Sequence, residues 1–269
     1  MALTMRKIIL FSFVAALGGC DSVSPLLPEK ELLVVRAYLY AGEPVTDVQL
    51  TSTFELTSDD ATGHPINDAK VSLEKADKIY LLMASTGDSG YYHYAGNDLA
   101  VQAGDRFTIS VEHNGRLATG ETIIPAPPQN VTLTQNEILI DSSTPFDTTS
   151  ITVSWQGEDT FYFVVVENLE ASPTPINQSP FPGGPREQLK TLRSRPIREN
   201  RFSIQRVDLT YFGAHRAKVY KVNREYASLY AFGQQDSRHL NEPETNIKNG
   251  LGVFAGFSST AVNFRVVRQ

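Results

Sequence analysis

The chain has 269 residues, 41% of them apolar, with 14 Phe, 11 Tyr, one Cys and a formal net charge of −6. That apolar content suffices for two cores and excludes a largely disordered chain. The acidic balance argues against nucleic acid as a partner, and a single cysteine excludes an intramolecular disulfide or a thiolate metal cluster.

The chain opens MALTMRKIILFSFVAALGGC. Arg6 and Lys7 form a positive start, Ile8 to Leu17 an apolar run, and Gly18 and Gly19 precede Cys20. This is the layout of a secretory signal over 1–19, with an apolar run too short to cross a bilayer, which takes about 20 residues. Leu17-Gly18-Gly19-Cys20 resembles the bacterial lipobox. That resemblance implies cleavage before Cys20 and acylation there, so the membrane is a partner through lipidated Cys20. Two or more acyl chains anchor firmly, at about 0.8 kcal/mol per buried methylene. A cysteine so modified is not a nucleophile.

Loss of Arg6 and Lys7 with the signal leaves 22 Lys+Arg against 30 Asp+Glu. The charge is uneven. Residues 20–124 hold 7 basic and 16 acidic side chains, whereas residues 186–224 hold 11 basic and 3 acidic.

Residues 20–30 read as a tether held extended by Pro25 and Pro28. Residues 31–124 read as a run of short strands: ELLVVRAYLY, VTDVQLTSTFEL, NDAKVSLEKA, KIYLLMAS, YYHY, then AGDRFTISVEHNG and its return LATGETIIP. In the last pair Phe107, Ile109 and Val111 alternate with polar residues, and Asn114-Gly115 is a tight-turn pair. Strands at this spacing predict a β-sandwich. PAPPQN, 125–130, is a proline-rich boundary.

A second β series runs over 131–269. Ile151, Val153 and Trp155 alternate, DTFYFVVVENL follows, and the arrangement looks like a fibronectin type III opening. Residues 171–200 form a long irregular loop. RFSIQRVDLTYF resumes alternation, with Phe202, Ile204 and Val207 expected inside. Asn223 is positioned to cap a short helix carrying Tyr226, Leu229 and Tyr230 on one face, with Gly233 at its end. Residues 251–267 close the domain as one or two strands in which Val262, Phe264 and Val266 alternate. The fold class is therefore all-β, with two tandem sandwiches and a short helix.

No catalytic constellation emerges. His64, His93, His113, His215 and His239 do not pair at metal-ligand spacing, and no GxSxG occurs. Asp59, Asp60 and Asp88 lack the ladder of acids that calcium sites use. The expectation is a non-enzyme without cofactor or metal. Two stretches are candidate partner-binding surfaces. GYYHYAG holds Tyr91, Tyr92 and Tyr94, and a strand cannot bury both of its faces in one core. The basic loop 183–201 holds Arg193, Arg195 and Arg198, suited to an acidic protein surface or anionic headgroups.

ETNIKNGLGVFAGFSS, 244–259, resembles the closing motif of a bacterial lipoprotein family known as domain of unknown function 4249, through Asn246-Ile247, Gly250, Gly252 and Phe254-Ala255-Gly256. ELLVVRAYL, PINDAKVSL, GYYHY, AGDRFTISVEHNG and ETIIPAPP fit the same family, in order and over nearly the whole mature chain. Asn249 stands where a second glycine is more usual. The resemblance implies an outer-membrane lipoprotein, often encoded beside TonB-dependent receptors. It further implies a transthyretin- or carboxypeptidase-regulatory-like first sandwich and a fibronectin-like second. It carries no catalytic residues. The function it suggests is that of a non-catalytic accessory or binding subunit docking on a TonB-dependent β-barrel or another outer-membrane protein, with direct glycan or peptide capture as the alternative and a hydrolase third. Asp21 after Cys20 leaves the membrane face open.

Overall fold

The computed structural model describes residues 32–53, 63–140, 149–176, 189–230 and 244–269. The signal segment, Cys20 and the tether lie outside the described residues, as do Asp59, Asp60, Gly233, His239 and residues 177–188 of the long loop.

The alternating segments form strands β1 (Leu33–Tyr40), β2 (Asp47–Ser52), β3 (Lys70–Lys75), β4 (Lys78–Ala84), β5 (Tyr91–His93), β6 (Arg106–His113) and β7 (Arg116–Ile123). Beyond the prolines come β8 (Gln129–Leu133), β9 (Glu137–Ile140), β10 (Ser150–Gln156), β11 (Phe161–Asn168), β12 (Thr191–Arg193) and β13 (Arg201–Gln205). They are followed by β14 (Gly213–Val222), helix α1 (Arg224–Ser228), β15 (Ile247–Lys248) and β16 (Leu251–Arg268). The protein is all-β, organised as two sandwiches. Among the described residues no helix is long and apolar enough to cross a membrane.

In the first sandwich, β1, β2 and β5 face β4, β3, β6 and β7 across a core that includes Val35, Leu50, Leu73, Phe107, Ile109 and Val111. The β6–β7 hairpin turns on Asn114 and Gly115, both at positive φ, which matches the twist of a two-residue hairpin. The β3–β4 hairpin does the same with Ala76 and Asp77, without a glycine.

In the second sandwich, β8, β10 and β13 form a three-stranded sheet facing β11, β14, β16 and β9. Ile151, Val153, Trp155, Tyr162, Val164, Val219, Phe264 and Val266 fill the space between. Val207, expected inside, is 71% exposed. Strand β13 ends at Gln205, whose N–H donates to Asp208 Oδ2, and a 3-10 turn over Arg206–Asp208 breaks the alternation and buries Arg206 in its place.

Strand β16 belongs to both sandwiches. Its first half pairs parallel with β1, from Val34–Leu251 to Tyr40–Phe257, and its second half pairs antiparallel with β14. Residues 247–257, grouped by sequence with the second sandwich, are thus strand partners of the first, with Ile247 paired to Gly120 of β7. An 18-residue strand is long enough to serve both, being about three times the usual strand length. On one side, β16 sends Phe254 into the first core and Phe264 and Val266 into the second. On the other, Val253, Ala255 and Phe257 join a third cluster. The proline boundary is tied to the same strand. Ser258 Oγ donates to the Pro125 carbonyl at 2.6 Å and Thr260 Oγ1 to the Pro128 carbonyl at 2.7 Å.

Candidate recognition surface

The third cluster sits where the sandwiches meet, on the outer face of the continuous sheet. β1 presents Arg36, Tyr38 and Tyr40 on this face because they share one parity. β11 presents Phe161, Phe163 and Val165 to it, β14 presents Lys218, Tyr220 and Val222, and β16 presents Phe257. Helix α1 covers part of it. Asn223 caps the helix by accepting from the Tyr226 N–H, and the Tyr226 ring packs on Tyr38 at 5.4 Å and Phe257 at 4.8 Å. Beyond the helix, Tyr40 stacks on Phe257 at 4.8 Å and Phe163 on Tyr220 at 4.7 Å. Tyr40, Phe161 and Tyr220 remain half-buried, so rings reach the surface there.

Charges line this aromatic area. Asp47 accepts from the Tyr40 hydroxyl at 3.3 Å. Burial pushes the Asp47 carboxyl above its ordinary value, against the pull of that hydroxyl and of the nearby Arg36 and Arg193 charges. Partial burial works against the Arg36 charge, but Tyr38, Tyr91 and Asp47 outweigh it and raise the guanidinium. Arg193 lies over the Phe163 ring at 5.4 Å and Arg198 over Phe161 at 4.8 Å, both exposed. Such stacking holds a guanidinium flat while leaving its N–H edge open to a carboxylate or phosphate. Lys218 pairs with Glu43 at 3.7 Å on the same side.

The six surface candidates separate. Tyr91 joins this face, since its row runs through Gln49 and Arg36 to Val253. Tyr92 does not reach the surface. It is 1% exposed, and its hydroxyl donates to Ile66 O and accepts from Ala69 N, both at 3.0 Å. The alternation of β5 sends this tyrosine into the first core, where its one polar atom is fully bonded. Tyr94 lies at another corner, edge-on to Tyr80 and bonded to Asp98. Arg193 and Arg198 join the face, and Arg195 is exposed beyond the end of β12.

Sequence reading missed Arg36, Tyr40, Asp47, Phe161, Phe163 and Tyr220. The usable signal was apolar content on both parities of RAYLY and FYFVVV, which marks strands covered on two sides.

Catalytic groupings are dispersed. His93 bonds Ser85 at 3.0 Å, His113 meets Asp68 at 3.1 Å, and His215 stacks on Phe264 at 5.2 Å. Among the described residues no three His, Cys, Asp or Glu side chains converge as metal ligands. Asp88 accepts from the Asn67 amide. A shallow cleft beside Pro125 contains Lys221 and Glu158, which pair with each other at 3.0 Å.

The family described as Domain of unknown function (DUF4249) matches residues 21–262. The chain belongs to that family. No curated protein matches it. Among solved structures, it is similar to a crystal structure of domains from titin, with 13% identity, a TM-score of 0.21, and coverage of 70% of this chain and 56% of that one. It is also similar to the FN1–FN3 domains of chicken CNTN1, with 10% identity, a TM-score of 0.27, and coverage of 72% of this chain and 61% of that one. The chain thus spans under two thirds of the length of either.

Proposed function

We propose that this DUF4249 protein is a non-catalytic, lipid-anchored binding subunit of an outer-membrane assembly, docking on a TonB-dependent β-barrel or a neighbouring outer-membrane protein. Cys20 carries the anchor, residues 20–30 space the sandwiches from the lipid, and 125–130 divides them. The observation that supports recognition is the convergence of Arg36, Asp47, Tyr91, Arg193 and Arg198 on one aromatic face, drawn from four separate segments of chain. Arginine and tyrosine on a partly apolar surface are the residues that dominate protein interfaces. Membrane tethering raises the local concentration, so a modest contact suffices.

The half-buried rings of Tyr40, Phe161 and Tyr220 beside Arg198 support a second reading, capture of a glycan or peptide on the same face.

Co-purification distinguishes the two. The intact protein, tagged at its C-terminus and solubilised gently from native membranes, returns a stoichiometric outer-membrane protein under the first reading. Recovery of the chain alone across several detergents and salt concentrations contradicts it and moves the weight to ligand capture, tested by glycan and peptide arrays on residues 30–269.

A further inference from the structure

Among the described residues, the first part of strand β4, before its pairing with β5, is an open edge of the first sandwich. Its hairpin with β3 closes on the Lys75–Lys78 pair, so the hydrogen-bonded pairs recur at Leu73–Tyr80 and Val71–Leu82. The N–H and C=O groups of Ile79, Leu81 and Met83 therefore point away from β3. Met83 pairs with His93 of β5. Among the described residues no strand pairs with Ile79 or Leu81 on that side. The side chains of the same residues stand on the outer face, with Ile79 63%, Leu81 58% and Met83 59% exposed, while Tyr80 and Leu82 fill the core.

Sheet edges are normally protected by inward charges, proline, bulges or a covering loop. This one instead offers three large apolar side chains at alternate positions. Its terminal cation is turned aside, because Lys78 Nζ is held by Asp98 at 2.6 Å.

We propose that β4 accepts an extended strand of a second protein, about five residues long with apolar side chains at alternate positions. The open main-chain groups at Ile79 and Leu81 form a ladder that another strand satisfies and that a lipid or glycan does not. The length follows from the edge itself, which is bounded by the Ala76–Asp77 turn and by the Met83–His93 pair. A second copy fits poorly. Pairing β4 with itself engages only this short span, far below the roughly 800 Å² per partner of a stable interface between folded domains. An extended segment needs no such area, because its main-chain bonds carry the affinity. The proposal rests on the main-chain groups of this edge and does not depend on the aromatic face.

The test places a photo-cross-linking residue at Leu81 of the full-length chain in its native membranes and sequences the cross-linked product. Amide hydrogen exchange at Ile79 and Leu81 is followed in parallel. The expected product is one contiguous stretch of a different protein joined through alternate residues. Exchange at both amides is expected to be at least about tenfold slower in membranes than in the purified chain. Ile79→Lys, with the photo-cross-linking residue kept at Leu81, abolishes both signals without lowering the thermal midpoint, since the Ile79 side chain is exposed. Arg193→Glu with Arg198→Glu leaves them intact, which separates this edge from the aromatic face. Unprotected amides overturn the proposal, as do cross-links to lipid, to scattered proteins or to β4 of a second copy.

Discussion

On the side of Phe254 away from β1, the side chain of Asn246 takes the place of a strand partner. Its Oδ1 accepts from the Phe254 N–H at 2.8 Å, and its Nδ2 donates to the Phe254 carbonyl at 2.7 Å and to the Glu121 carbonyl at 3.0 Å. One carboxamide thus ties β16 to β7 at the entry to the first core. Asn246→Ala leaves the Phe254 N–H unpaired at a fully buried residue. We expect it to lower the unfolding free energy by about 3 kcal/mol, measured by chemical denaturation.

Two glycines of the same chemistry should behave differently. Gly252 has φ +107, and a Cβ there would meet the Val35 carbonyl oxygen at 2.0 Å, because β1 and β16 approach closely. Gly42 has φ +78 in open space. Gly252→Ala combines strain with a backbone clash and should cost at least about 3 kcal/mol, whereas Gly42→Ala should cost about 1 kcal/mol. Equal thermal shifts in the two variants would show that β1 and β16 can part at Gly252 and Val35 at little cost.

Much of this architecture was legible from alternation alone. Phe107, Ile109 and Val111 are all buried, Asn114-Gly115 is the hairpin turn, and Phe264 and Val266 fill the second core. These are local signals, and nothing distant competes with them. What stayed hidden depended on partners far along the chain. Residues 251–257 read as the end of a second domain, yet their strand partner is β1, more than 200 residues earlier. Tyr92 was visible as one of four ring residues, but only the core around it reveals which face of β5 is inward. Arg36 and Asp47 gave no signal, since an isolated charge in a strand looks solvated until Arg193 and Tyr91 arrive from other segments.

A strand shared by two cores should make them unfold together. Trp155, the only tryptophan, reports on the second core beside Tyr162, while Leu50 is fully buried in the first. Leu50→Ala should destabilise the protein by about 2–5 kcal/mol and shift the Trp155 fluorescence transition with it. An unmoved Trp155 transition would mean that the sandwiches unfold independently.

Acid sensitivity should trace in part to His215. Burial against Phe264 lowers its pKa below the ordinary 6.5, although the Gly213 carbonyl and the Glu170 charge pull the other way. Above the unfolded value both states carry a neutral ring, so its contribution to stability is fully present. As pH falls through that value the unfolded chain takes up the proton first, and stability drops until the lowered folded value is passed. His215→Gln should flatten stability against pH across this window relative to the parent. An unchanged slope would remove His215 as the cause.

The proposed function rests on partner binding at the aromatic face between the sandwiches. Its most direct measurement compares partner recovery from native membranes for the parent and for Arg193→Glu with Arg198→Glu, using Lys70→Glu on another face as the charge control. Lys70 is exposed and lies on β3. One stoichiometric partner is expected with the parent and the control, and at least about a tenfold loss with the double arginine variant at an unchanged thermal midpoint. Equal recovery from all three would contradict it.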